Sequence, residues 1–260
     1  MSLTYSSYLE LDRLLDLQHP ASDPPEHDEM LFIIIHQVYE LWFKLLLHEF
    51  DKASADLTRG ALFEAIATFK RIRMVMKTLV AQLDVLETLS PLSFNSFRHR
   101  LETASGFQSP QFRELEFLLG HKRPEMLRYH QGNVPALARL EARLQGPSIV
   151  DALYDFLRGF GFTPPPELQA KDVRAPTAPH PAVQASLLTL YATRADVRIL
   201  LEIMTDVDEG LQEWRYRHVK MVERTIGDKP GTGGSQGVTF LRQTLFQPVF
   251  PDLWAIRGQV

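Results

Sequence analysis

DEMLFIIIHQVYELWFKLLLHEFDKASADL, residues 28–57, settles the fold class. Phe32, His36, Tyr39, Phe43 and Leu46 recur at steps of three and four. Leu31, Ile35, Val38, Trp42 and Leu45 do the same one face round. This is the period of an α-helix. A helix apolar on two faces is expected to lie buried in the middle of a bundle. Asp28 is the expected N-cap, just after Pro20, Pro24 and Pro25 break the chain. His36, one turn after Phe32, pairs an imidazole with an aromatic ring. On periodicity alone it reads as a hydrogen-bonded core histidine.

The flanking segments repeat the pattern. Residues 61–88 carry Leu62, Ile66, Phe69, Ile72, Val75, Met76, Leu79, Leu83 and Leu86 at helical spacing. Lys70, Arg71, Arg73 and Lys77 make a solvated outer face. Residues 4–17 read as one amphipathic helix, with Tyr5, Tyr8, Leu9 and Leu15 on one side. Those side chains need something to pack on, either their own chain or a neighbouring subunit. Ser90-Pro91 and Ser109-Pro110 are cap-and-proline helix starts. Short helices follow at 123–130, 134–145 and 147–158. Residues 159–181, with Pro164, Pro165, Pro166, Pro176, Pro179 and Pro181, form a connection without periodicity. The helical pattern resumes from Val183 to Ile226, with a bend or break expected near Asp206–Gly210. Residues 238–245 give a last short helix, and the tail PVFPDLW is expected to be packed. No segment alternates like a strand and no internal repeat is found. The expectation is an all-α fold: one domain over 1–260, long helices side by side with shorter ones covering them.

Composition narrows the chemistry. The chain has 260 residues, 45% hydrophobic and 23% charged, with a net charge of −4. That is enough for a sizeable core, and its scattered basic residues leave no nucleic-acid footprint. With no cysteine, disulfides, thiolate metal sites and iron–sulfur clusters are excluded, and a reducing cytosol is a suitable location. The first residues show no signal peptide, and Leu31–Ile35 is far too short an apolar run to span a bilayer. Neither a nucleic acid nor a membrane is expected as a partner.

The most unusual stretch is WRYRHVKMVERTIGDKPGTGGSQG, residues 214–237. Leu211, Trp214, Arg215, His218, Val219, Val222 and Ile226 share a helix face. Gly227 then stops the helix and Pro230 forbids its continuation. Four glycines fall between Gly231 and Gly237 and let the backbone approach a ligand closely. The loop lacks the lysine of a phosphate loop and is not GxGxxG. Two readings stand side by side: a core histidine before a surface loop, or a metal or cofactor ligand before a loop of free N–H and hydroxyl groups. Arg98, four residues after Phe94, is a candidate clamp for a carboxylate.

Five blocks taken together resemble the tryptophan 2,3-dioxygenase family. They are TYSSYLELDRLLDLQHP (4–20), HDEMLFIIIHQVYELWFKLLLHE (27–49), LETLSPLSFNSFR (86–98), SGFQSPQFRELEFLLG (105–120) and 214–237. The resemblance runs from about residue 4 to residue 245 and is weakest over 121–205. It implies an all-helical, cytosolic homotetramer that holds haem b within the bundle. The implied reaction inserts both atoms of O₂ across the indole C2–C3 bond of L-tryptophan. The product is N-formyl-L-kynurenine, at the first step of the kynurenine route. By motif, His218 matches the axial iron ligand and His36 the distal histidine that accepts the indole N–H. Phe32 and Phe94 match aromatic walls of the substrate site. Arg98 matches the partner of the substrate carboxylate, and Thr232 the residue that bonds its amino-acid end. Ser105, Gly231 and Gly233 match positions lining the cofactor pocket. Tyr5, Tyr8 and Leu9 match N-terminal residues that reach a neighbouring subunit's site. Phe94 and Phe240 stand where some members have tyrosine, and Gln236 where a serine is found. The alternatives are a related haem enzyme acting on another indole, and a non-catalytic haem or tryptophan sensor.

Overall fold

The structure, a computed structural model, describes residues 2–234 and 236–260. Met1, and Ser235 of the glycine loop, lie outside the described residues. No strand occurs among the described residues.

Three long helices make the frame: α3 (His27–Thr58), α4 (Leu62–Leu86) and α11 (Ala195–Ile226), the last spanning roughly 48 Å at 1.5 Å per residue. Helix α4 packs against both α3 and α11. Shorter helices surround them: α5 (Pro91–Phe97), α6 (Pro110–Leu118), α7 (Val134–Gln145), α8 (Ile149–Arg158), α10 (Pro181–Thr193), α12 (Val238–Arg242) and α13 (Pro251–Ala255). α1 (Tyr5–Leu9) and α2 (Leu11–Leu14) lie at the N-terminus, and α9 (Pro166–Gln169) is a single turn inside the proline-rich connection. Ser90, Ser109, Asn133 and Ser148 each accept a backbone N–H from the first turn of the helix they open, satisfying a donor with no partner inside the helix. The core joins α3, α4, α8, α10, α11 and the tail, where Val249, Phe250, Leu253 and Ile256 are buried.

Four expectations need correction. Residues 4–17 are not one helix: Glu10 takes a left-handed φ of 52° and divides α1 from α2. Helix α3 starts at His27 after Glu26, not at an Asp28 cap. Glu29 is the residue that fastens this start. It is buried, and it accepts the N–H groups of Ala21 and Ser22 and the Ser22 hydroxyl, folding the proline turn onto the helix. Helix α3 is also not buried all round. Ile35, Tyr39, Phe43, Leu46, Phe50, Ala53 and Leu57 enter the core, whereas Met30, Ile34 and Leu41 are exposed. Finally, the run 183–226 breaks at Arg194, whose guanidinium forks onto Asp196 at 3.0 and 2.6 Å. It passes unbroken through Gly210. There a Cβ would lie 3.3 Å from the Met76 Cβ, so the glycine lets α11 and α4 approach and does not end a helix.

Candidate active site

One large cavity is enclosed by α3, the α4–α5 junction, the segment 98–113, α11 and the glycine loop. Phe32, His36, Phe94, Arg98, Ser105, His218, Gly231 and Thr232 all line it. Residues from four of the five blocks therefore meet at one place. Gly233 does not line it but supports it: a Cβ there would lie 2.7 Å from the Ser105 Cβ, so only glycine lets the loop sit this close. Tyr5, Tyr8 and Leu9 are exposed on α1 and do not reach the cavity of their own chain.

His36 has a defined tautomer. Its Nδ1 lies 2.7 Å from the Phe32 carbonyl, which can only accept, so Nδ1 carries the proton. That leaves Nε2 with a free lone pair. Burial pushes the imidazole below its ordinary pKa, against the Phe32 carbonyl and Glu40, which favour the charged form. The Phe32 ring sits 4.2 Å from the His36 ring and 5.6 Å from both Phe94 and Phe97. These rings make a dry wall beside the imidazole.

His218 is held differently. Its ring stacks on Trp214, one turn earlier on α11, with centroids 5.3 Å apart and planes 4° from parallel. Trp214 in turn touches Phe112 at 5.2 Å and Phe43 edge-on at 6.2 Å. No described residue hydrogen-bonds His218. Burial, and then the neighbouring His36, lower its pKa to about 4. It is neutral at physiological pH with a nitrogen lone pair to give, which is what a metal-ligating imidazole requires.

At the mouth, the Arg98 guanidinium donates to the Pro230 carbonyl at 2.7 Å, and the Thr232 hydroxyl to the Ala104 carbonyl at 2.5 Å. These two bonds tie the glycine loop to the segment after α5. Arg98 has no carboxylate partner among the described residues, so most of its donors are available to an anion.

Sequence reasoning missed a second charged part of the wall. Glu116 on α6 is buried, and it receives Arg113, Arg123 at 2.9 Å on both oxygens, and Arg215 at 3.3 Å. Burial alone would raise the Glu116 carboxyl; Arg113, then Arg123 and Arg215, hold it below the usual range. His121 donates from Nε2 to the Pro248 carbonyl at 3.2 Å and accepts from Arg215 on Nδ1 at 3.0 Å. Burial and Arg215 bring its pKa to about 4. Arg113, Glu116, Arg123 and Arg215 all line the cavity. Three guanidiniums against one carboxylate leave this part of the wall positive. Arg113 and Glu116 are three apart on a helix and could be paired from sequence, but Arg215 comes from 99 residues away and carries no local signal.

A family model described as tryptophan 2,3-dioxygenase matches residues 1–142 and 177–260. The chain belongs to the tryptophan 2,3-dioxygenase family. The part that the family model skips contains most of the proline-rich connection. A tryptophan 2,3-dioxygenase of Herpetosiphon aurantiacus is 53% identical over 259 residues, covering 100% of this chain and 99% of its own length. One from Anaeromyxobacter sp. (strain K) is 52% identical, covering 99% of this chain and 96% of its own. One from Burkholderia pseudomallei is 42% identical, covering 98% and 84%. The all-α expectation and the family resemblance both hold.

The cavity fits the haem that the family resemblance implies. A neutral, unbonded imidazole on a rigid helix is available to iron. Apolar rings form the walls, glycines and a serine leave room at the loop side, and a surplus of guanidinium on the wall would suit the carboxylates that haem b carries.

Proposed function

We propose that the chain is a haem-dependent dioxygenase that converts L-tryptophan and O₂ to N-formyl-L-kynurenine, as its family membership indicates. The observation that carries this reading is the convergence of two unlike histidines, an aromatic wall and an unpaired arginine on one cavity. The reaction balances without another reactant. The indole C2–C3 bond breaks, each carbon takes one oxygen atom, and no external electron is consumed. Ferrous haem b, when bound, activates O₂. His218 would hold its iron, and Arg113, Arg123 and Arg215 would face its carboxylates.

The side chains position and enclose the substrate. The unprotonated His36 Nε2 accepts a hydrogen bond from the indole N–H and fixes the ring in the plane that its own Phe32 tether sets. Removal of that proton is no part of the scheme, because an indole N–H is very weakly acidic. The Arg98 guanidinium binds the substrate carboxylate, two oxygens to two N–H groups. Thr232 already donates its proton to Ala104, so its oxygen is an acceptor for the substrate ammonium. Phe32 and Phe94, backed by Phe97, keep water from the indole and make the site selective for a flat apolar ring. Phe94 and Phe240 bring no hydroxyl, so carboxylate recognition falls on Arg98.

Tyr5, Tyr8 and Leu9 complete this reading. They lie on an exposed N-terminal segment, in keeping with reaching the cavity of a second copy in a homotetramer. A cytoplasmic location and a single domain over 1–260 belong to the same reading. Helix α3 is, among the described residues, the one helix long and apolar enough to cross a bilayer; here its core face packs on α4, α6 and α8.

The test is an absorption spectrum of the haem-loaded, reduced protein without oxygen, followed by L-tryptophan and then air. A ferrous spectrum that shifts with tryptophan, then growth of N-formylkynurenine absorbance, establishes cofactor, substrate and reaction. Haem binding with no product turns the reading to another indole or to a sensor. No haem uptake overturns the assignment of His218.

A further inference from the structure

We propose that Glu116 is a positioning residue. It gathers Arg113, Arg123 and Arg215 into a fixed anion-binding end of the cavity, and thereby sets where the haem carboxylates rest. The proposal depends on the haem reading above.

Three separated parts of the chain meet on this one carboxylate: α6 itself, the loop that follows it, and α11 one residue past Trp214. Each arginine offers Glu116 a terminal nitrogen: Nη1 of Arg113, Nη2 of Arg123 and Nη2 of Arg215. Arg215 is anchored further by the Thr244 carbonyl at 3.1 Å and by His121. Arg113 packs its guanidinium on the Phe107 ring and Arg123 on the Phe240 ring, at 5.9 and 5.5 Å from the centroids. These contacts leave one donor of the cluster unspent: Arg113 Nε is closed off from solvent and has no hydrogen-bond partner, on a side chain only 3% exposed. A buried donor without an acceptor is costly, and a ligand carboxylate that settles at this end with a small shift of the Arg113 side chain would relieve it. An ion-pair cluster serving stability alone would have no reason to put all four members on the cavity wall.

Glu116 also meets a difficulty of assembly. Three like charges repel, and without a shared carboxylate their side chains would splay toward solvent. Arg123 is the freest to leave, because it is partly exposed. The carboxylate thus turns a diffuse positive charge into a shaped one.

The test compares the full chain loaded with iron protoporphyrin IX and loaded with its dimethyl ester, which has no free carboxylates. Transfer to an excess of a haem-scavenging protein is followed by absorbance. Glu116→Gln is expected to speed loss of the free-acid haem by about ten-fold or more, and to leave loss of the ester within about two-fold of the unaltered chain. Arg123→Lys keeps the charge and removes the two-oxygen contact on a partly exposed side chain. It is expected to act in the same direction, and it serves if Glu116→Gln does not fold. Equal acceleration of both haems would show general loosening and overturn the proposal, as would no acceleration of either. If the unaltered chain takes up neither haem, the haem reading falls and the proposal with it.

Discussion

His36 and His218 are both imidazoles on helix faces, yet what holds them differs, and so does what they are free to do. His36 is tied at Nδ1 to its own helix and offers a lone pair; His218 is tied by ring stacking and offers either nitrogen. His36→Ala is therefore expected to raise KM for tryptophan while keeping measurable turnover. Complete loss of turnover with unchanged tryptophan binding, read by spectral titration, would make His36 a base. Arg98→Ala is expected to weaken tryptophan binding by about 2–5 kcal/mol, the loss typical of a desolvated charge pair. An equal loss for an indole lacking the carboxylate would refute the clamp. His121 gives a prediction in pH. The unfolded chain takes up its proton near the ordinary 6.5, the folded chain only at about 4. The folded state thus loses stability as pH falls through that window, by at most about 1.4 kcal/mol per unit from this one group, and gains none above it. Melting of haem-free protein from pH 7 to 4.5 should show the slope, and His121→Gln should flatten it. His218 titrates over the same window in the haem-free chain and leaves a remaining slope in that variant.

At the level of elements, the glycine loop and the turn at Ser105 behave as one piece. Gly233→Ala puts a Cβ 2.7 Å from that of Ser105 and must displace the loop bearing Thr232. Tryptophan KM is expected to rise on the order of ten-fold, inside the about hundred-fold that a misplacement of about 1 Å costs. A normal KM would show that the loop shifts without moving Thr232. These elements also show what sequence makes legible. The three frame helices followed from period, and the pairs Phe32–His36 and Trp214–His218 follow from it too, since residues four apart share a face. The pairing of α3 with α11 around a cavity did not, and the roles of the two histidines came from resemblance. Gly210 misled because a glycine that breaks a helix and one that lets two helices touch look alike until the Met76 partner is seen. Glu10 was invisible as a break because its left-handed turn has no residue signature. The Arg113–Glu116 pair follows from helical spacing, but the full arginine cluster was invisible because Arg215 joins it only through tertiary packing.

On the scale of the whole molecule, α1 and α2 contribute no buried residue, while Tyr5 and Tyr8 are 76% and 72% exposed. Deleting residues 2–17 is expected to leave the melting temperature of the isolated chain unchanged. In the assembled protein it should raise KM for tryptophan, and KM with oligomer mass measured side by side will show whether the segment acts at a neighbour's cavity. Unchanged KM in an intact oligomer would remove Tyr5, Tyr8 and Leu9 from the site.

The far end of the chain carries a different burden. Asp208, fully buried on the helix of His218, accepts the Phe250 N–H and the Trp254 indole N–H, each at 2.9 Å. A nonsense codon at position 250 would spare every residue that lines the cavity. It would also remove both of these donors and leave the buried carboxylate with the Gln212 amide as its remaining hydrogen-bond donor among the described residues, a costly defect inside the core. In genetic terms, a stop codon that removes residues 250–260 acts at a distance on the helix of His218, although none of the residues it removes lines the cavity.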